Sequence, residues 1–356
     1  MFNLFRTATP ILLGIDISPA SVKLLELHKT NNSYRVESFG AAPLPANTIT
    51  EKVVKDPHTL ARTVQHLVEK MQPTAKNAAI AIPDSMVITK VIQLDASLHE
   101  ADIENQIAIE AEKYIPYPLQ EINLDFSVLG PSSKDKQQMD VLLAAARTEN
   151  IMATVEALTE AGLNVKVVDV QAYTIERASH LLKPQLPDYG QNKIVAIVDL
   201  GANTTHLTIL DNFKTVYSRE EPFGGQQLTE TIQQRYGLTA SEAGLAKKQG
   251  GLPDDYQTAV LHPFRETIVL QLRRALQFFF SASQYNEVHA IVLAGGSAKV
   301  MGLAKLIEEQ LGIPTTIANP LAGMSLSAKV DSTSVLSESC SLLTCCGLAM
   351  RSFNHG

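Results

Sequence analysis

No apolar run in the sequence reaches the roughly 18 residues that a membrane-spanning helix needs, so no span is expected. Residues 1–10 lack the apolar core and small-residue cleavage site of a secretion signal, and a cytoplasmic protein that reaches any membrane through a partner is expected. Basic residues are outnumbered, 30 against 37 acidic, and they form no stripe. Without such a stripe, and with a net charge of −7, nucleic-acid binding is not expected. Cysteine is scarce: Cys340, Cys345 and Cys346 form neither an even framework nor a zinc spacing. Reduced, buried thiols near a C-terminal helix are the expectation, as suits the cytosol. His28, His58, His99 and His206 also lack metal-ligand spacing and read as solvated or core residues. Composition suggests local disorder only near Asn31, Ser132 and Ser334.

What remains is a 356-residue chain with 45% hydrophobic content, enough for two lobes of ordinary size. Apolar runs at 11–17 and 21–27, split by Ser18-Pro19-Ala20, predict a hairpin, with a third strand at 34–40. Helical spacing appears at 57–71, and strands at 78–82 and 86–94. A helix over 100–115 is expected to stop before Pro116. Strands at 124–129 and 139–146, a helix at 149–161, a strand at 165–170 and a helix at 172–182 complete the first half. The second half reads as strands at 194–200, 205–210 and 214–220, then helices at 226–235, 241–248 and 263–285. A strand at 288–293, a helix at 298–311 and a closing helix at 336–350 follow. In the long helix Ile268, Leu272, Leu276 and Phe279 share one stripe; Phe278 to Phe280 reads as helix core with one partly exposed ring.

The second half restarts like the first. IDISPASVKLLEL (15–27) lies over VDLGANTTHLTIL (198–210), so that Asp16 falls on Asp199, Ser21 on Thr204, Leu24 on Leu207 and Leu27 on Leu210. Two similar hairpins suggest two related lobes facing each other. Small residues in such turns let backbone N–H groups cradle phosphate oxygens. An Asp at the end of the preceding strand suits a hydrated Mg²⁺, and Lys23 is a mobile positive charge for phosphate. The alternative is two ordinary hairpins whose Asp residues satisfy turn amides; the repeat favours phosphate. A third element, VLAGGSAKVMGL (292–303), is strand, Gly295-Gly296-Ser297, helix. Its glycines let a flat ligand lie against bare backbone, beside the donors of a helix start.

These three elements in this order resemble the two phosphate motifs and the adenosine motif of the actin, sugar-kinase and heat-shock-chaperone ATPase superfamily. FGGQQLTETI (223–232) adds to the likeness. ENQIAIEAEKYIPYPLQEINLDF (104–126), VKVVDVQAYTIERA (165–178), YGLTASEAGLAKKQGGLPDDY (236–256) and LRRALQFFF (272–280) narrow it: the chain resembles the PilM family of type IV pilus assembly over essentially its whole length.

The resemblance implies an α/β, two-lobed actin-like ATPase fold with an FtsA-type small α/β subdomain inserted in the first lobe. The expected divisions are 1–84 and 163–193 for the first lobe core, with 85–162 as the insertion between them. In the second lobe, 194–225 and 287–335 form the core and 226–286 a helical subdomain, and 336–356 is a closing helix returning to the first lobe. It implies ATP with Mg²⁺ between the lobes, the metal held through water by Asp16 and Asp199. Ser18, Ser21 and Lys23 would line the first phosphate loop and Gly201, Asn203, Thr204 and Thr205 the second. Gly295, Gly296 and Ser297 would flank the adenosine, and Lys247 would touch base or ribose, its alternative being a solvated helix charge. Gln171 falls where actins keep a water-orienting Gln, although it also reads as an ordinary residue at a helix start. Ser18-Pro19 departs from the glycines usual in the first loop, and proline removes one donor.

Implied partners are the N-terminal cytoplasmic segment of the inner-membrane protein PilN, docked in a groove between the insertion and the first lobe core, and through it other pilus components. Self-association is left open, as is a weak ATPase activity. An FtsA-like ATPase or filament former is the main alternative, but residues 351–356 are short and polar and offer no amphipathic membrane helix. A sugar or acetate kinase is disfavoured because no substrate-activating base stands out.

Overall fold

The computed structural model describes residues 11–353 apart from 32 and 134, and leaves aside the side chains of 100 and 101. The expectations made for residues 1–10 and for the last three residues therefore lie outside the described part.

The first half builds a six-stranded sheet. Its strands are β1 (Leu12–Ile17), β2 (Ser21–Thr30), β3 (Ser33–Pro43) and, after a small hairpin of β4 (Ile49–Thr50) and β5 (Val53–Val54) and helix α1 (Pro57–Met71), β6 (Asn77–Ile82). Asp56 caps α1 by accepting the Thr59 N–H, and Pro57 occupies the first turn, where its missing donor costs nothing. The apolar spacing then turns Leu60, Val64, Leu67 and Met71 onto the sheet, all buried.

From the end of β6 the chain leaves to form a separate unit. It comprises β7 (Val87–Asp95), α2 (Glu100–Ala111), β8 (Ile122–Pro131) and β9 (Gln138–Arg147), in sheet order β7-β9-β8. Ile92, Leu94, Ile103, Ile107, Met139, Val141 and Leu143 are its own core. Helix α2 stops at Ala111, four positions short of the sequence reading, and residues 112–114 form turns before Pro116. Helix α3 (Thr148–Glu160), grouped with the insertion by sequence, turns Ala157 and Leu158 into the core of α1 and the large sheet instead. Strand β10 (Asn164–Val170) then pairs in parallel with β6, and α4 (Gln171–Ser179) follows. The helix ends early because Pro184 lies in the next turn, which tightens into a 3₁₀ segment.

The second half repeats the plan. Strands β11 (Ile194–Leu200), β12 (Thr205–Asp211) and β13 (Lys214–Glu221) form the antiparallel meander. Helices α5 (Gly225–Tyr236), α6 (Ala240–Gln249) and α7 (His262–Ala282) come next. Strand β14 (Ala290–Ala294), α8 (Leu303–Leu311) and β15 (Thr315–Ile317) complete the sheet in order β13-β12-β11-β14-β15. The first sheet runs β3-β2-β1-β6-β10 over the corresponding strands. In both, the first strand is antiparallel to the second and parallel to the strand that returns after the helices. Strand β16 (Ser325–Leu326), assigned by sequence to the second lobe, instead pairs with β3 at the edge of the first sheet. The closing helix is broken into α9 (Ser332–Ser337) and α10 (Leu343–Ala349), with a 3₁₀ turn between them.

Helices α4 and α10 lie between the two sheets and share a core with both: Leu25 and Val36 from one side, Val195, Ile197 and Val292 from the other. The approach of α10 is close. A Cβ on Gly14 would stand 2.4 Å from the Cys345 carbonyl oxygen, and one on Gly347 would stand 2.0 Å from that of Thr174. All three cysteines are buried and free, and burial raises the pKa of each thiol, so they serve packing. In α7 the stripe Ile268, Leu272, Leu276 and Phe279 is buried, while Phe278 is exposed beneath the Arg219 guanidinium. Ser132, read as a site of local disorder, is buried. No described helix is long and apolar enough to cross a membrane.

Candidate functional site

Both repeated hairpins close their turns alike. Ser18 N–H donates to the Ser21 carbonyl at 3.0 Å, and Gly201 N–H donates to that of Thr204 at 3.0 Å. Their capacity for an anion differs. In the first turn the Ser18 hydroxyl donates to the Ser21 carbonyl and accepts the Ser21 N–H, while Pro19 has no N–H to offer. In the second, no protein group among the described residues takes the amides of Ala202, Asn203 and Thr204. The second turn is also braced from behind: Gly225 N–H donates to the Gly201 carbonyl and Gln226 N–H to that of Ala202. Gly224 makes this possible, since a Cβ there would stand 2.5 Å from the Ala202 oxygen. The helix start at Gly224-Gly225 is thus part of the site, a role the sequence reading noticed only as likeness. Thr205 is part of the brace, its hydroxyl donating to the Phe223 carbonyl.

Asp16 and Asp199 end the central strands of their sheets, and each lies directly across from a basic residue on the next strand: Asp16 from Lys23, Asp199 from His206. The Lys23 ammonium lies 3.4 Å from Asp16 and is nearly buried. Burial pulls its pKa down, but the negative surroundings, Asp16 and Asp199 among them, outweigh this and leave it above the ordinary lysine value. Burial pushes the Asp199 carboxyl up; His206 opposes the shift and Asp16 adds to it. The two carboxylates therefore sense each other across the lobes, and Lys23 is attracted by both. His206, read from sequence as solvated or core, belongs to this site. Its ring lies 3.4 Å from the Thr204 hydroxyl and 3.9 Å from Glu220, its partner on β13. The repeat itself carried the signal, because Lys23 falls on His206 in the same register.

Among the described residues no three His, Cys, Asp or Glu side chains gather as a metal centre. Two carboxylates are nevertheless what Mg²⁺ uses when it arrives with phosphates, so the residues fit Mg²⁺ carried by a nucleotide.

Beside Asp199, Gly295 has φ +88°, and a Cβ there would stand 2.3 Å from the Asp199 Oδ1. Gly296 faces open space. Ser297 N–H donates to the Leu200 carbonyl, and its hydroxyl reaches the Gly201 oxygen at 3.4 Å. Lys247 on α6 donates to the Gly225 carbonyl at 2.9 Å and the Thr229 hydroxyl at 2.8 Å. Burial, with Lys248 nearby, lowers its pKa to about 8. The lysine is therefore not a solvated charge; it ties α6 to the start of α5. Gln171 opens α4, half-buried, next to Ala172, whose N–H donates to Asp84.

A hollow of about 150 Å³ lies where the inserted unit meets α3 and the turn after β6. Ile115, Tyr117, Met86, Ile88, Ala146 and Arg147 are among its walls. The Arg147 guanidinium stacks on Tyr117 at 4.9 Å and bonds Glu149 at 2.9 Å. Its Nε is buried and has no hydrogen-bond partner in the structure. A desolvated donor without an acceptor is costly, and the Arg147 side chain on the wall of this hollow sets positive charge beside its apolar side chains.

The model of the family described as type IV pilus assembly protein PilM matches residues 14–353. Among solved structures the chain is similar to one from a PilM–PilN type IV pilus biogenesis complex, with TM-score 0.80 and 27% identity over 98% of this chain and 100% of that one. It is also similar to the ethanolamine utilization protein EutJ from Carboxydothermus hydrogenoformans, with TM-score 0.59 and 16% identity over 96% and 89% of the two chains, a likeness of fold alone. The paired sheets are thus the two lobes of an actin-like ATPase fold, with a small α/β unit inserted in the first.

Proposed function

The chain belongs to the type IV pilus assembly protein PilM family, and from that premise we propose that it is an ATP-binding adaptor of the pilus assembly complex, docking the short N-terminal cytoplasmic segment of PilN and reaching the inner membrane through it. The observation that carries this reading is the hollow beside Tyr117, whose walls set apolar side chains next to the Arg147 guanidinium. An extended peptide brings backbone carbonyls at every residue and apolar side chains for walls such as Ile115 and Ile88. The hollow also lies between the inserted unit and the first lobe core, the groove in which the family resemblance would seat the PilN segment.

Nucleotide is the second half of the reading. The second turn would take the phosphates on its unused amides, Asp16 and Asp199 would hold Mg²⁺ through water, and the adenosine would lie over Gly296. Bound Mg²⁺ would offset the negative charge that the phosphates bring beside these two carboxylates. The residues' own part is to orient: Lys247 and Thr205 fix the start of α5 behind the turn. Binding of nucleotide is the work this reading gives the site.

Calorimetry with Mg-ATP and a synthetic PilN N-terminal peptide tests both halves. Micromolar-range binding of each is expected, with at least a tenfold weaker peptide in Arg147→Ala, since a charged donor contributes about 1.5–3 kcal/mol. Wild-type protein that bound no peptide, or an Arg147→Ala variant with unchanged affinity, would defeat the adaptor reading.

A further inference from the structure

The turn that roots the inserted unit is gripped by the opposite lobe. Asp84 and Ser85 follow β6 after Pro83. Asp84 accepts the Ala172 N–H at 2.9 Å on its own lobe and a short hydrogen bond from the Ser218 hydroxyl on the other. The Ser85 hydroxyl donates to Glu220 at 3.1 Å. Ser218 and Glu220 are two apart on β13 and so share a face. Lys52 completes the contact, its ammonium 2.6 Å from Glu220 and 2.6 Å from the Ser85 hydroxyl. The backbone beneath Lys52 is strained. Glu51 and Lys52 are the two central residues of the β4–β5 hairpin, with φ of 50° and 66°, where glycine or asparagine is normal. Strain of about 1–2 kcal/mol per non-glycine residue is tolerated here to hold a lysine over Glu220.

This grip touches both candidate sites. Ser85 and Met86 line the hollow beside Tyr117. From Glu220 a single row crosses the second sheet, Glu220 opposite His206 and His206 opposite Asp199, with His206 also beside Thr204 of the phosphate turn.

We infer that the Lys52–Glu220–Ser85 contact is a latch through which the interlobe site regulates the groove: closure over Mg-ATP sets the latch, and the latch fixes the turn that forms the groove wall. This rests on the proposed adaptor reading and adds its regulation. Because Ser85 belongs to the wall and Glu220 to the opposite lobe, separating the lobes must move one from the other.

The test is the peptide affinity of full-length protein with and without saturating Mg-ATP, together with the reverse measurement. Wild type is expected to bind the PilN peptide at least about fivefold more tightly when loaded, and Mg-ATP more tightly by the same factor with peptide, as linkage requires. Glu220→Gln and Lys52→Met, neither of which lines the hollow or forms the phosphate turn, are expected to bind each ligand alone within about twofold of wild type and to lose the enhancement. Independent binding in wild type, or full enhancement in both variants, overturns the latch while leaving the adaptor reading standing. Wild type that bound no peptide would overturn the adaptor reading and the latch with it.

Discussion

Replacing Lys23 by Met keeps the length of the side chain and removes the charge that Asp16 and Asp199 both attract. At 3.4 Å and an effective dielectric constant near 20, the attraction to Asp16 is about 5 kcal/mol. Desolvation of the nearly buried ammonium offsets part of this, and Asp16 keeps some exposure, so a net loss of about 2–3 kcal/mol is expected at pH 8. The pH dependence identifies the cause. Asp199 already has a raised pKa, from burial first and from Asp16 in addition. Its folded form therefore binds protons more tightly than its unfolded form, and its contribution to stability falls as pH rises from the unfolded value through the folded one. Without Lys23 the two carboxylates face each other uncompensated, the shift grows, and protonation relieves it. The deficit of Lys23→Met relative to wild type, measured by urea unfolding, should thus shrink on going from pH 8 to pH 5. It should shrink again at pH 8 when Mg²⁺ is added. A deficit equal at both pH values would refute the charge argument and leave only lost packing.

Asp16→Ala should weaken Mg-ATP binding by more than about tenfold, because it removes one of two carboxylates available to the metal; unchanged calorimetric affinity would remove the metal assignment. Glu26 is buried and accepts from the Ser38 hydroxyl, the Thr74 amide and the Ala75 amide, so Glu26→Gln, which sets donor against donor, should lower the unfolding free energy by about 2 kcal/mol. With its pKa near 8, folded Lys247 releases its proton before the unfolded chain does, so its contribution to stability rises between about pH 8 and 10.5; the wild type minus Lys247→Met difference should rise over that range, and a flat difference would contradict a buried amine. Gly347→Ala should destabilise by at least about 2 kcal/mol in a thermal melt, because its Cβ would meet the Thr174 carbonyl backbone to backbone; a near-neutral variant would show that α10 and α4 can separate freely.

The paired hairpins were legible because strand, Asp, small-residue turn and strand is a local pattern, repeated in one register from Asp16 to Asp199. Helix α1 was legible to the residue, its cap Asp56, its Pro57 and its apolar spacing all agreeing. What sequence could not supply was partnership over distance. Helix α3 follows the insertion in the chain, yet it packs on α1, and nothing in its own periodicity says which apolar face will receive it. Lys247 was read as a base contact or a free charge; only the fold brings it under the Gly225 carbonyl. His206 is the instructive miss. Taken alone it lacks any ligand spacing, but laid on the first hairpin it occupies the place of Lys23, a basic residue opposite an Asp.

That correspondence explains why the two lobes contribute differently. Strand β6 runs beside β1 as β14 runs beside β11, so the residues after β6, Asp84 and Ser85, stand in the first lobe where Ser297 and Ala298 stand in the second. In the second lobe that turn folds inward: Ser297 bonds Leu200 and Gly201 and stays within the phosphate scaffold. In the first lobe the same position is where the insertion leaves the sheet, and Asp84 and Ser85 reach across to Ser218 and Glu220. The first hairpin is correspondingly the poorer phosphate cradle, with Pro19 and a Ser18 hydroxyl turned on its own turn. One lobe keeps the geometry for holding phosphate, and the other has turned the equivalent corner into a contact that registers whether the lobes are closed. On the proposed adaptor reading, that second property matters more than catalytic symmetry. The same reasoning expects damage to the first turn to weaken nucleotide binding less than equal damage to the second: Ser18→Ala should change Mg-ATP affinity by less than about threefold, whereas Gly224→Ala, which drives a Cβ into the Ala202 carbonyl, should abolish it. Equal losses in the two variants would mean that the lobes share the phosphate after all.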